Sequence, residues 1–155
     1  MKRVCYCYLL VLLLVSCSHL QQRNFEEQDE ALSKALKTLG KEGLTATTTH
    51  VLVVTLQGCG GCTSQILSHY KQIVTSTWLV VFCANDPVIA RGLLSSHSIP
   101  VSGAVIDTRD VMIKNRLVDH APVVFRVKDK RIVCRYDLDL ENFAESMEHI
   151  KHDSW

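Results

Sequence analysis

The chain has 155 residues, 47% of them hydrophobic and 21% charged, which is enough apolar material for one ordinary core and too much for a disordered or fibrous chain. Seventeen basic side chains against 16 acidic ones leave no charge excess of the kind that holds a nucleic-acid backbone, so nucleic acid is not an expected partner. Seven cysteines are many for this length, and Cys5, Cys7 and Cys17 stand in the first 17 residues.

Lys2 and Arg3 precede an apolar run from Val4 to Val15, shorter than the about 20 residues that a membrane-spanning helix needs. The run ends in Leu14-Val15-Ser16-Cys17, which resembles a bacterial lipobox, where the chain is cut before the cysteine and the thiol is lipidated. The expectation is a signal segment over residues 1–16, removed together with Cys5 and Cys7. Cys17 is then the lipid attachment point, residues 17–23 a polar tether, and residues 24–155 a single domain. A lipid-anchored protein of a bacterial cell envelope, facing the periplasm or another extracytoplasmic space, follows from that resemblance. Disulfides persist in such a compartment.

Asn24 and Glu27 have the spacing of a capping box, and Ala31, Leu32, Ala35, Leu36 and Leu39 recur on one helical face up to Gly40 and Gly43. From Thr45 to Gln57 the chain turns β-branched. Its centre, His50 to Leu56, is too continuously apolar for a sheet with one wet face and predicts a central strand covered on both sides. Gly58-Cys59-Gly60-Gly61-Cys62 follows, and Ile66, Leu67, Tyr70, Ile73 and Val74 then mark the buried face of a helix.

Trp78 to Ala84 reads as a second strand, parallel to the first because a helix connects them. Asp86-Pro87 supplies a cap and first-turn proline for a helix containing Val88, Ile89, Leu93 and Leu94. The stretch from Ser95 to His120 is less legible, with a strand expected over Val101 to Ile106 and a short helix over Arg109 to Leu117. Val123, Phe125 and Val127 alternate with Val124 and Arg126. Beyond Lys128-Asp129-Lys130, Ile132, Cys134 and Tyr136 are expected to share one face of a second hairpin strand. Asp139 is placed to cap a last helix in which Phe143, Met147 and Ile150 share a face.

The order strand, Cys-x-x-Cys, helix, strand, helix, then a proline leading into a hairpin and a terminal helix resembles the thioredoxin superfamily over Thr45 to His152. The implied fold is α/β, a central mixed sheet flanked by helices. Val118-Asp119-His120-Ala121-Pro122-Val123 resembles the segment where thioredoxins set a cis-proline opposite the cysteines, which makes Pro122 a support of the site and its peptide bond an expected cis bond. The long separation of Cys59 and Pro122, with Ile99-Pro100 and Asp107 between them, is similar to the insert of TlpA-like membrane-tethered thioredoxins. Three positions depart from the pattern. Gly58 stands where a tryptophan is usual, Gly60-Gly61 replaces Gly-Pro, and Val53 occupies the place of a buried acid.

The resemblance implies a thiol-disulfide oxidoreductase acting on protein thiols or disulfides as a monomer, without cofactor or metal. Cys59, at a helix N-terminus that favours a thiolate, is the expected nucleophile, and Cys62, one turn on and deeper, the resolving thiol. The competing reading is a binding module of the same fold that keeps a static disulfide, with copper among its ligands. Zinc is disfavoured because a closed site takes four ligands and only one Cys-x-x-Cys is present. Cys83 is expected beside the same sheet edge as a small buried hydrophobe, with a third redox thiol as the alternative. Cys134 lies three strand spacings away, too far for a bond between the two. His120, two residues before Pro122, is a candidate neighbour of the thiolate. His149 and His152 are read as charges complementing a helix C-terminus.

Overall fold

In the computed structural model residues 25–152 are described, the side chains of Lys151 and His152 excepted. The signal segment, Cys17, the tether and Asn24 lie outside them. Residues 25–38 form helix α1. It is followed by β1 (His50–Thr55), α2 (Gly60–Ile73), β2 (Trp78–Cys83), α3 (Pro87–Ser96), a 3-10 turn at Val101–Gly103 and β3 (Ala104–Asp107). Next come α4 (Val111–Lys114), β4 (Val123–Lys128), β5 (Arg131–Asp137) and α5 (Phe143–His152).

The strands make one sheet in the order β3-β2-β1-β4-β5. β1 pairs parallel with β2, and β2 with β3, while β4 runs antiparallel to both β1 and β5. β1 is central and buried along its whole length. Its alternation explains the unbroken apolar sequence: Val51 and Val53 enter one core with Leu32, Ala35 and Leu36 of α1 and Met112 of α4, whereas Leu52 and Val54 enter the other with Ile66 and Leu67 of α2 and Met147 and Ile150 of α5. Val53, at the position of the family's buried acid, is fully enclosed by apolar neighbours.

In the 95–120 stretch, the expected strand over Val101 to Ile106 begins later, because Val101–Gly103 closes a 3-10 turn first. The helix expected over Arg109 to Leu117 contracts to Val111–Lys114, bounded by left-handed residues at Asp110 and Arg116. Asp139 does not cap α5 directly: its carboxylate accepts the Glu141 and Asn142 amides, 3.0 and 2.9 Å, in the turn before the helix.

The hairpin turns at Asp129-Lys130, both residues at positive φ (53° and 63°), as a two-residue turn matched to strand twist requires. Register in the hairpin differs from simple alternation. Val127 faces Ile132 but Arg126 faces Cys134, leaving Val133 as an extra, bulged residue. The bulge corrects the expected common face: Ile132 packs in the core with α1, while Tyr136, on the same face as Cys134, packs against the opposite core. α1 is tied to this strand by Asp29, whose carboxylate accepts the Ile132 amide at 2.6 Å. Burial pushes the Asp29 carboxyl up from its ordinary pKa, and the Ile132 amide opposes that shift.

Candidate functional site

The C-terminal ends of β1 and β2 and the N-terminus of α2 meet at one sheet edge. Cys59 is the N-cap of α2, and its Sγ accepts the Cys62 backbone N–H at 3.4 Å. Cys59 and Cys62 form a disulfide with Cα atoms 5.4 Å apart. Cys59 is half-buried at the surface, whereas Cys62 is 1% exposed and packed beneath the first turn. Cys59 is thus the more accessible residue of the pair. The α2 first turn holds no acidic residue, so nothing there offsets the positive end of the helix dipole facing Cys59.

A second segment closes on the cysteines. The His120 carbonyl oxygen accepts the Cys59 N–H at 2.9 Å and the Thr55 hydroxyl at 2.9 Å. Gly58 is what permits this approach: a Cβ there would overlap the His120 carbonyl oxygen and lie 2.5 Å from Thr55 Oγ1. The departure from tryptophan therefore has a steric cause. The Thr63 hydroxyl donates to the Thr55 carbonyl at 3.0 Å, binding the first turn of α2 to the end of β1. On the other side of the motif a Cβ at Gly61 would touch the Leu140 side chain at 2.9 Å, while one at Gly60 would meet open space.

The Ala121–Pro122 bond is trans, against the expected cis bond. The isomer preference of an X-Pro bond is small, so packing decides it, and here the segment reaches the cysteines through the His120 carbonyl instead. Pro122 is buried and its carbonyl accepts the Leu138 amide at 2.8 Å, which fixes the start of the hairpin. The His120 ring stands in solvent with Nε2 3.3 Å from the Asp119 carboxylate, both side chains 86% exposed. His149 approaches Glu145 at 3.8 Å on α5.

Cys83, which pairs in register with Thr55, lines a cleft of about 230 Å³ together with Thr55, Gly58, Asp110, Ile113 and His120. Cys83 and Cys134 are both free thiols. Beside Cys83 lies a residue whose importance the sequence hid. Asp107 is fully buried, its carboxylate accepts the Arg109 and Met112 amides at 3.0 and 2.8 Å, and the Cys83 thiol points to it at 3.9 Å. Burial above all, then the Asp107 and Asp110 carboxylates, push the Cys83 thiol far up from its ordinary value, which disfavours its thiolate. Thr55 and Thr63 were equally hidden, since a threonine closing a strand and one opening a helix look like ordinary surface residues in sequence. Among the described residues no group of three or more His, Cys, Asp or Glu side chains is gathered to hold a metal ion.

No family model matches the chain, and no curated protein matches it. Several solved structures are similar to it. One is a putative thiol:disulfide interchange protein DsbE from Chlorobium tepidum, 13% identical, TM-score 0.46, with 70% of this chain and 80% of that chain covered. Another is a peroxiredoxin-like protein from Aquifex aeolicus, 13% identical, TM-score 0.42, with 66% and 72% covered. The sheet order β3-β2-β1-β4-β5, the parallel β1-α2-β2 unit, the closing antiparallel hairpin and the Cys-x-x-Cys disulfide at the head of α2 give this chain the thioredoxin-like fold.

Proposed function

We propose that the protein is a thiol-disulfide oxidoreductase that exchanges disulfides with other proteins through Cys59 and Cys62. The observation that carries this is the asymmetry of the pair: a half-buried cysteine at a helix N-terminus bonded to one that is 1% exposed. A partner thiolate reaches only Cys59. Its attack forms a partner–Cys59 disulfide and expels Cys62 as a thiolate, which takes up a proton. A second partner thiol then attacks the partner's own sulfur and releases Cys59 as a thiolate beside the α2 amides. Two electrons pass from the partner dithiol to the pair; of the two protons the dithiol gives up, one ends on Cys62 and the other goes to solvent while Cys59 stays a thiolate. In the reverse direction the Cys59 thiolate attacks a partner disulfide, and Cys62 displaces it from the mixed disulfide.

The setting proposed for this chemistry is a bacterial cell envelope, with the chain held as a monomer on a membrane through lipid on Cys17. The ordered charged, apolar and small-residue regions ending at Ser16 support that reading. Intact mass of the membrane-extracted protein tests it, since a mature chain retaining Met1 to Ser16 or an unmodified Cys17 overturns the anchor.

The exchange reading is tested by trapping. Cys62→Ser accumulates a mixed disulfide through Cys59 with a disulfide-bonded peptide, whose own disulfide the Cys59 thiolate opens, and Cys59→Ser accumulates little because the remaining cysteine is buried. A wild-type protein that exchanges with neither a dithiol peptide nor glutathione overturns the reading in favour of a static disulfide.

A further inference from the structure

The buried polar side chains among the described residues are His50, Thr55, Thr63 and Asp107, and two of them belong to the turn that carries the cysteines. Thr55 is 4% exposed at the end of β1, and its hydroxyl is committed to the His120 carbonyl. That oxygen also holds the Cys59 N–H. Thr63, also 4% exposed, donates to the Thr55 carbonyl, which accepts the Gly58 amide at 3.3 Å as well. The hydroxyls therefore close a ring of contacts running from β1 to the His120 segment, to Cys59, into α2 and back to β1.

The link through Thr55 is electrostatic as well as mechanical. A carbonyl oxygen carries partial negative charge, and this one is fixed against the backbone of the residue whose sulfur becomes anionic when the disulfide opens. Such an oxygen opposes a neighbouring thiolate. Each donor placed on it withdraws some of that charge, and a buried hydroxyl does so without the mobility of water.

We propose that Thr55 is a positioning residue for thiol exchange, its hydroxyl holding the His120 carbonyl on the Cys59 amide and offsetting that carbonyl's partial charge where the Cys59 thiolate develops. The proposal rests on the exchange reading given above. It assigns to a strand-end hydroxyl part of the task of preparing the nucleophile in a chain whose Val53 position carries no acid.

The test is the pH dependence of Cys59 alkylation by iodoacetamide in the reduced full chain, resolved by mass spectrometry. Cys83, Asp110, Asp119 and His120 are the titratable groups lining the adjoining cleft, and they are common to every variant compared. Thr55→Val keeps the β-branched shape and removes the donor. It is expected to raise the apparent pKa of Cys59 by about half a unit to one unit, the net worth of one hydrogen bond, and so to slow alkylation at pH 7 about three- to tenfold. Thr55→Ser, which restores the donor, is expected to return the rate to within about twofold of wild type. A role in stability alone would lower the melting temperature without moving the pH midpoint.

Coincident midpoints for wild type and Thr55→Val overturn the proposal, as does a Thr55→Ser protein displaced as far as the valine variant. Should the valine variant not fold, Thr55→Ala is read by the same criteria. The titration involves no partner. Failure of the wild type to exchange with a dithiol peptide is thus a separate result, which removes the exchange reading and the catalytic meaning of Thr55 with it.

Discussion

Replacing Gly58 with alanine adds one carbon atom at a place where two backbones meet. Gly58 does not lie in the left-handed region, so alanine meets no conformational penalty there. On chain entropy alone the change would stabilise the protein by about 0.4–1 kcal/mol. The surroundings reverse the sign. The new Cβ would overlap the His120 carbonyl oxygen, approach its carbon to 3.0 Å and stand 2.5 Å from Thr55 Oγ1. The carbonyl cannot rotate aside, because the Cys59 amide and Thr55 hydroxyl both hold it. Relief means pushing the His120 segment outward and losing one or both bonds, about 0.5–1.5 kcal/mol each, on top of an overpacking cost of about 1–3 kcal/mol. The expected loss is about 2–4 kcal/mol, or a fall of about 6–12 °C in melting temperature for a chain of this size. Thermal denaturation of the oxidised protein, followed by far-ultraviolet circular dichroism, measures it. Gly60→Ala is the matched comparison, since its Cβ meets nothing within 4 Å and helix propensity favours alanine there. A Gly58→Ala protein melting within about 2 °C of wild type, or no lower than Gly60→Ala, refutes the steric account.

Other perturbations probe the same architecture. The Cys83 thiol is held protonated by burial and by the Asp107 and Asp110 carboxylates, so above its ordinary pKa the unfolded chain releases this proton and the folded one keeps it. Stability therefore falls as pH rises through about 9, by up to about 1.4 kcal/mol per pH unit, and this component is absent from Cys83→Ala; urea denaturation at pH 8 and 10 giving the same pH effect in both proteins contradicts it. Lys130→Gly relieves a side chain held at φ 63° in the hairpin turn and is expected to raise stability by about 0.5–1 kcal/mol, with an unchanged or lower urea midpoint counting against the turn geometry. Asp107→Asn retains one acceptor where two amides need one each, and an expected loss of about 2–3 kcal/mol is read from the urea midpoint; a change under about 0.5 kcal/mol means that the carboxylate is not what fixes the loop into α4.

The parts of the fold that were legible are those where pattern and burial coincide. His50 to Thr55 is apolar on both faces because it lies between two cores, and Ile66, Leu67 and Tyr70 recur as a buried helical face should. The cysteine pair was legible from its spacing after a strand, and so was the deeper position of Cys62. What escaped depends on how the backbone folds, in part between distant positions. Nothing local to Thr55 or to Gly58 announces a carbonyl 65 or 62 residues away. Asp107 resembled any aspartate at the end of an apolar run, and only the returning loop supplies the amides that let it be buried. The expected cis bond at Pro122 came from likeness of sequence order, whereas its isomer depends on how the His120 segment packs. Val133 escaped because one inserted residue leaves composition unchanged while it transfers every later side chain to the other face.

That extra residue also shapes how the molecule meets copies of itself. β5 is an outer strand, and an outer strand with evenly spaced free amides and carbonyls is a template onto which another chain can be added. Here the even spacing is broken at Val133, and the Ile132 amide is already taken by Asp29. The opposite border, β3, is only four residues long. Each copy thus offers its neighbours an interrupted ladder on one side and a four-residue one on the other, both poor templates for adding a strand from a second molecule.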